Sequence, residues 1–161
     1  MRADEWRSLR KIVRDFQQSD YVIYDAPFPK EDDAFRPLAE KFADSGLFFS
    51  VYERSSAEMI GYVCFHQADE QFELGYCFHS DSHGKGYAFE SCKAVMEWLE
   101  QHHAVRAFTA ETATANKPSV RLLERLSFRM TGTQKVSFHK DENGQDIVFE
   151  GGHFELPTEN T

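Results

Sequence analysis

HSDSHGKGYAFE, residues 79–90, sets two glycines around a lysine at the point where a strand-like run gives way to a helix-like one. Glycine inside a helix costs about 1 kcal/mol against alanine, so Gly84 and Gly86 call for a compensating role at this junction. One such role is a backbone that must approach a ligand more closely than a Cβ permits. A helix N-terminus offers unpaired N–H groups and the positive end of the helix dipole, which together can hold a phosphate. Lys85 adds positive charge between the glycines. Taken alone, the stretch suits a tight strand-to-helix turn without a ligand equally well. It is neither a G-x-x-x-x-G-K-[ST] P-loop nor a G-x-G-x-x-G dinucleotide fingerprint.

Upstream lie three strand-like runs, LFFSVYER (47–54), EMIGYVCFH (58–66) and QFELGYCFH (71–79). The short polar connections SSA and QADE between them predict an antiparallel meander. Downstream, Ala88, Cys92, Val95, Met96 and Leu99 form one stripe of a helix over about 85–102, and VRAFTAE (105–111) reads as a further strand. ANKPSVRLLERLSF (115–128) repeats the junction, with Asn116 and Ser119 at a helix start directly after a strand. Each is ordinary capping chemistry by itself. Two such junctions in succession place two parallel strands and two helix N-termini at one sheet edge, where ligands bind.

The flanks complete the pattern. Trp6, Leu9, Ile12, Val13 and Phe16 give an amphipathic helix over 3–18, and Pro27 and Pro29 mark 21–29 as a loop. A second helix begins near Glu31, with Asp32 and Asp33 in its first turn, Phe35, Leu38, Ala39 and Phe42 on its apolar face, and Ser45-Gly46 at its end. FRMTGTQKVSFHK and DIVFEGGHFEL (146–156) read as a closing hairpin turned at Asn143-Gly144. The order predicts one mixed α/β domain over 1–161.

Bulk properties narrow the function. A net charge of −9 argues against a nucleic-acid binder, which needs a basic face; it suits a cationic substrate or simply a solvated acidic surface. Cys64, Cys77 and Cys92 are odd in number, lack metal-ligand spacing and lie among apolar neighbours, which predicts buried free thiols, a cytoplasmic chain and no metal site. No signal-like stretch and no run of about 18 apolar residues suggests a membrane. His102-His103 fall at a helix end, His66, His139 and His153 share no spacing, and His79 has no carboxylate partner within view in the sequence. KDENGQD is too short for a calcium loop.

Taken together, His83-Gly84-Lys85-Gly86-Tyr87-Ala88 with its GYAFE continuation, Glu73-Leu74-Gly75-Tyr76 on the preceding strand, MIGYV (59–63), and Asn116 to Phe128 resemble the GNAT superfamily of N-acetyltransferases. The resemblance is nearest to the branch that acetylates ribosomal-protein N-termini. Its acetyl-CoA motif is Gln/Arg-x-x-Gly-x-Gly/Ala, followed by N-x-x-S-x-x-L-x-E/K-x-L-G-F, and the match covers about residues 46 to 155. Three positions depart from the pattern: His83 stands for Gln or Arg, Ser127 for the glycine of L-G-F, and Leu123 for the tyrosine that many relatives use to protonate the leaving thiolate. The resemblance also implies a chain that begins after the family's usual first strand.

The resemblance implies a central, mostly antiparallel mixed sheet with flanking helices and a V-shaped splay between its two central parallel strands. It implies acetyl-CoA as co-substrate. The coenzyme's pyrophosphate would rest on His83, Gly84, Lys85, Gly86, Tyr87 and Ala88, its pantetheine beside Cys77, Phe78 and His79, and its arm against Asn116 and Ser119. Acetyl would pass directly to a primary amine, with no covalent enzyme intermediate. Glu73 would take the amine's proton, with Glu111 or water as alternatives, and Ser119 would serve the departing thiolate. The branch points to a protein or peptide α-amine; a polyamine or aminoglycoside acceptor, or a CoA-binding sensor without catalysis, are the alternatives. A nucleotide-phosphate binder would need Lys85 on a γ-phosphate. The quaternary state implied is a monomer or homodimer.

Overall fold

In a computed structural model, which describes residues 1–159, the apolar stripe Leu9, Ile12 and Val13 forms the buried side of helix α1 (Trp6–Gln17). Leu9 and Val13 pack with Phe35 and Ala39 of α2 (Asp32–Asp44) and with Phe48 and Tyr62 of the sheet. Arg10 is buried in the seam. Its Nε donates to Asp32 Oδ1 at 3.1 Å and its Nη1 to the Pro29 carbonyl at 3.0 Å, so its charge is paired where water is excluded.

The strands are β1 (Phe48–Tyr52), β2 (Met59–Ala68), β3 (Gln71–Phe78), β4 (Ala107–Ala113), β5 (Arg129–Val136) and β6 (Phe149–Pro157). They form one sheet in the order β1-β2-β3-β4-β6-β5, antiparallel at every step except β3 with β4. Alternation along β3 assigns the faces. Phe72, Leu74 and Phe78 are buried with Cys92, Met96 and Leu99 of α3 (Tyr87–His102) and Leu123 of α4 (Lys117–Arg125), whereas Cys77 turns to the side covered by α1 and α2.

The parallel pairing is short. Register partners run from Gln71 with Ala107 to Glu73 with Thr109 and stop there, although β3 continues to Phe78 and β4 to Ala113. Beyond Glu73 the two strands therefore part, and the splay implied by the family pattern is present. Gly61 of β2 is fixed by contact: a Cβ there would lie 2.4 Å from the Phe78 ring and 2.7 Å from the Cys77 carbonyl oxygen.

Some boundaries differ from the sequence expectation. The helix expected from residue 85 begins at Tyr87, because Gly84 (φ +73°) and Gly86 (φ +82°) are left-handed and cannot belong to a right-handed helix. Within the supposed loop 21–29, the segment Asp20–Tyr24 is a 3-10 helix, a common single-turn extension after an α-helix. Asn143-Gly144 does make the expected turn, with Gly144 at φ +75° and its N–H on the Asp141 carbonyl at 3.0 Å. Between Val136 and Phe149, however, only Lys140 and Asp146 bridge. The Asp141 carboxylate accepts from the N–H groups of Asn143 and Gln145 at 2.9 Å each, and such local bonding competes with a ladder. Cys92 is fully buried, while Cys64 and Cys77 are half-buried; all three are free thiols. No helix among the described residues is long and apolar enough to cross a membrane.

Candidate active site

The parting of β3 and β4 opens a cleft of about 1220 Å³, large enough for more than one ligand group. On one side stands the N-terminus of α3. Its first internal bond runs from the Glu90 N–H to the Gly86 carbonyl at 3.1 Å, so the N–H groups of Tyr87, Ala88 and Phe89 lie ahead of the helical ladder. A Cβ placed on Gly84 or Gly86 would meet no protein atom within 4 Å. Among the described residues nothing fills the space in front of this loop, which lies at the α3 N-terminus, where unpaired N–H groups and the helix dipole favour an anionic group.

The loop is held from several sides. His83 Nε2 contacts the Phe78 carbonyl at 2.9 Å, and the Tyr87 hydroxyl donates to Glu53 Oε1 at 2.6 Å. From α1, Asp15 accepts from the Ser80 N–H at 2.8 Å and from its hydroxyl at 2.7 Å. Burial by itself would raise the Asp15 carboxyl, but the two Ser80 bonds, with His79 and His83 nearby, outweigh it and hold the carboxyl below its ordinary value.

The second helix N-terminus, that of α4, faces the same cleft. Asn116 caps it, its Oδ1 accepting from the Ser119 N–H at 3.3 Å. The Ser119 hydroxyl also contacts the hydroxyl of Tyr76. Burial, despite the Ser119 bond, pushes the Tyr76 phenol up to about 12. Leu123, in the position where relatives carry a tyrosine, is buried in the core.

On the α1 side of the sheet the cleft is lined by carboxylates and rings. Glu73 of β3 is exposed there, opposite His66 on β2 and Thr109 on β4. Glu111 follows two residues beyond Thr109 on the same face of β4, with its Oε1 3.5 Å from His153 Nδ1 on β6. Asp20, Tyr21, Tyr24 and Asp25 form the facing wall. Tyr24 packs edge-on against Phe149 with centroids 5.1 Å apart, and His139 Nε2 reaches the Asp25 carbonyl at 2.9 Å, so the closing hairpin abuts this wall. Burial, reinforced by Asp25, pushes the thiols of Cys64 and Cys77 up to about 12.

Ten of the site residues named from sequence line this one cleft: Glu73, Cys77, Phe78, His83, Gly84, Gly86, Tyr87, Ala88, Asn116 and Ser119. Lys85 is exposed and outside the lining. His79 is outside it as well. Its backbone N–H is bonded to the Ile60 carbonyl at 2.9 Å, and its ring lies 3.6 Å from the carboxylates of Asp81, two residues on, and of Asp15, a remote partner on α1, so the expectation that it has no carboxylate partner is corrected. Tyr76 and Asp15 also line the cleft, and His153 sits beside Glu111, placements that the sequence does not announce. Tyr76 was visible only as part of E-x-G-Y; for the other two, no local signal existed. Among the described residues no group of three His, Cys, Asp or Glu side chains could hold a metal ion.

Comparison with known proteins agrees with this geometry. The chain is 24% identical over 147 residues, 90% of its length and 85% of the other's, to the uncharacterized N-acetyltransferase YnaD of Bacillus subtilis (strain 168). Its fold superposes with a TM-score of 0.81 on RimL, a ribosomal L7/L12 alpha-N-protein acetyltransferase in complex with coenzyme A, at 15% identity and covering 100% of this chain and 93% of that one. It superposes with a TM-score of 0.80 on the ribosomal-protein-S5-alanine acetyltransferase of Vibrio fischeri, at 12% identity and covering 99% and 91%. The family model described as acetyltransferase (GNAT) domain matches residues 1–129. With the greater part of its length matched and the splayed β3–β4 cleft in place, the chain belongs to the GNAT acetyltransferase family.

Proposed function

We propose that this acetyltransferase moves the acetyl group of acetyl-CoA directly onto a primary amine, and that its acceptors are α-amines at peptide or protein N-termini. The observation that carries the reading is the cleft where β3 and β4 part, which gathers two helix N-termini, an unpaired strand edge, a serine and two carboxylates. In this reading the α3 N-terminus with Gly84, Gly86, Tyr87 and Ala88 binds the diphosphate of the coenzyme through backbone N–H groups. The edge of β3 at Cys77 and Phe78 hydrogen-bonds the pantetheine as an added strand would. Asn116 and Ser119 face its sulfur end.

An amine with a pKa near 10 arrives protonated, so a carboxylate must take a proton before nitrogen can attack. Glu73 and Glu111 both face the acceptor side of the cleft, and a water between carboxylate and amine would bridge the gap. Backbone N–H groups at the splay support the thioester oxygen as charge gathers on it, and the Ser119 hydroxyl faces the leaving thiolate. With the pKa of Cys64 and of Cys77 at about 12, neither thiol is a thiolate near neutrality, which supports direct transfer over an acylated cysteine.

The acceptor class rests on the ribosomal-protein acceptors named for the two structural relatives, one of them an alpha-N-protein acetyltransferase, and on an acidic, aromatic wall that suits a cation beside an apolar side chain. A second reading has its own observation: Asp20, Asp25, Glu73 and Glu111 line one cleft, which also suits a polyamine. Thiol release from acetyl-CoA, followed with a disulfide reagent against peptides, polyamines and aminoglycosides, separates the two. Peptides are expected to turn over fastest. Faster turnover of a polyamine or aminoglycoside overturns the acceptor class, and CoA binding without turnover of any amine overturns catalysis.

A further inference from the structure

We propose that Tyr76 is a positioning residue for acetyl transfer, its hydroxyl donating to Ser119 Oγ and thereby directing the serine's own proton into the cleft toward the departing sulfur. The inference rests on the role given to Ser119 above. It starts from α4: Leu123, which lines the cleft, is a buried hydrocarbon and can donate nothing. The hydroxyl that the structure does bring to the α4 N-terminus comes from the other side of the cleft, from β3.

Either hydroxyl could donate across this contact, and the surroundings of the two residues favour Tyr76 as the donor. Ser119 has one proton and two lone pairs. Its N–H is committed to Asn116 Oδ1, which holds the residue in the first turn of α4. Tyr76 is half-buried, and Ser119 Oγ is the partner that the structure gives its hydroxyl. A buried phenol keeps its proton and must place it on an acceptor. Once Tyr76 donates to Ser119 Oγ, the serine's proton is free for a second acceptor in the cleft.

Tyr76 is not itself the acid. Its phenol is pushed up to about 12, whereas an ordinary thiol has a pKa of about 8.5. Handing a proton through Ser119 to the thiolate would therefore run uphill by a factor of roughly a thousand or more. The balanced step uses no such relay. The amine nitrogen forms a bond to the thioester carbon, the C–S bond breaks, and sulfur leaves with the electron pair. The ammonium gives one proton to the carboxylate before attack and the nitrogen gives a second as the amide forms, both passing on to water; the thiolate takes up one proton from solvent, so one proton is released overall. Ser119, oriented by Tyr76, stabilises the developing negative charge on sulfur by a hydrogen bond without losing its proton.

The test is a double-mutant cycle with Tyr76→Phe, Ser119→Ala and the two combined, followed by thiol release with a saturating peptide acceptor. Y76F keeps the ring and removes only the hydroxyl. It should lower kcat about tenfold, the worth of one well-placed hydrogen bond, and leave KM for acetyl-CoA within about twofold because ground-state binding is untouched. The double variant should be no slower than S119A alone, since Tyr76 acts only through Ser119. Rates are taken well below each variant's unfolding midpoint, so a loss of stability cannot pass for a loss of positioning. Wild-type kcat in Y76F with a slow S119A overturns the role of Tyr76 alone, as do multiplying effects in the double variant. A fully active S119A overturns the Ser119 assignment as well, and CoA binding without turnover in the unmodified protein overturns both.

Discussion

Gly86 can be substituted in two ways that separate its backbone role from its place beside a ligand. It has φ +82°, and a Cβ built there has open space within 4 Å. Inside the protein, alanine therefore costs conformation and nothing else, about 1–2 kcal/mol for an L-residue held left-handed. In a domain of this size that corresponds to a midpoint lowered by about 2–8 °C. Asparagine tolerates the left-handed region and should cost less than about 1 kcal/mol. Both substitutions carry the same Cβ into the space before the α3 N-terminus. If that space belongs to the coenzyme's diphosphate, CoA binding measured by calorimetry on folded protein should weaken at least about tenfold, or 1.4 kcal/mol, in Gly86→Ala and in Gly86→Asn alike. The two variants should then differ in stability but agree in lost affinity. Undiminished CoA binding by Gly86→Asn would refute the close-approach argument and leave the glycine with a purely conformational role.

Ser127, at φ +72°, closes α4 with the Phe128 N–H on the Leu123 carbonyl at 2.9 Å and its own N–H on the Glu124 carbonyl at 3.0 Å, a left-handed cap that glycine fits better. Ser127→Gly should raise the unfolding free energy by about 0.5–1 kcal/mol in denaturant titration. Gly61→Ala forces a methyl against the Phe78 ring and the Cys77 carbonyl and should cost about 1–3 kcal/mol by the same measurement, with weaker CoA binding because the β3 edge moves. The folded-state pKa of Asp15 is held below its ordinary 3.8, so its contribution is complete above that pH and is lost as the pH falls below it. Asp15→Asn should melt earlier than the unmodified protein at pH 7, and the two melts should converge in acid. Of Glu73→Gln and Glu111→Gln, the one that removes the base should lower kcat about 10²–10⁴-fold near neutrality, with the deficit shrinking as rising pH deprotonates the amine; His153→Gln should matter only if Glu111 is that base.

What the sequence disclosed and what it withheld follow from how each half of the cleft is built. The anion cradle is made of backbone, and backbone geometry is written locally. Two glycines ahead of an apolar stripe mark a strand-to-helix turn, although not that the helix waits until Tyr87, and Asn116 with Ser119 mark the second helix start. The strands were equally plain because Phe72, Leu74 and Phe78 alternate with residues of the other face. The rest of the cleft is held together by side chains from remote elements. Asp15 meets Ser80 across 65 positions, Tyr76 meets Ser119 across 43, and His139 meets the Asp25 carbonyl across 114. None of these pairs leaves a spacing in the chain that periodicity could find.

The same division bears on how such a protein can change its acceptor. The wall facing Glu73 and Glu111 is closed by contacts between the segment Asp20–Asp25 and the closing hairpin, through Tyr24 with Phe149 and His139 with Asp25. These residues add nothing to the packing of Phe72, Leu74 or Leu123 beneath the cradle. Substitution along that wall can therefore alter the charge and shape offered to the amine while α3 and α4 keep their N-termini in register with β3 and β4. Tyr76 and Ser119 lie on the cradle side of this boundary, where the strands part. If their hydroxyl pair acts on the sulfur, as proposed, its removal should slow all amines by the same factor, because the sulfur is common to every acceptor, whereas Tyr24→Ala should change the ranking among them.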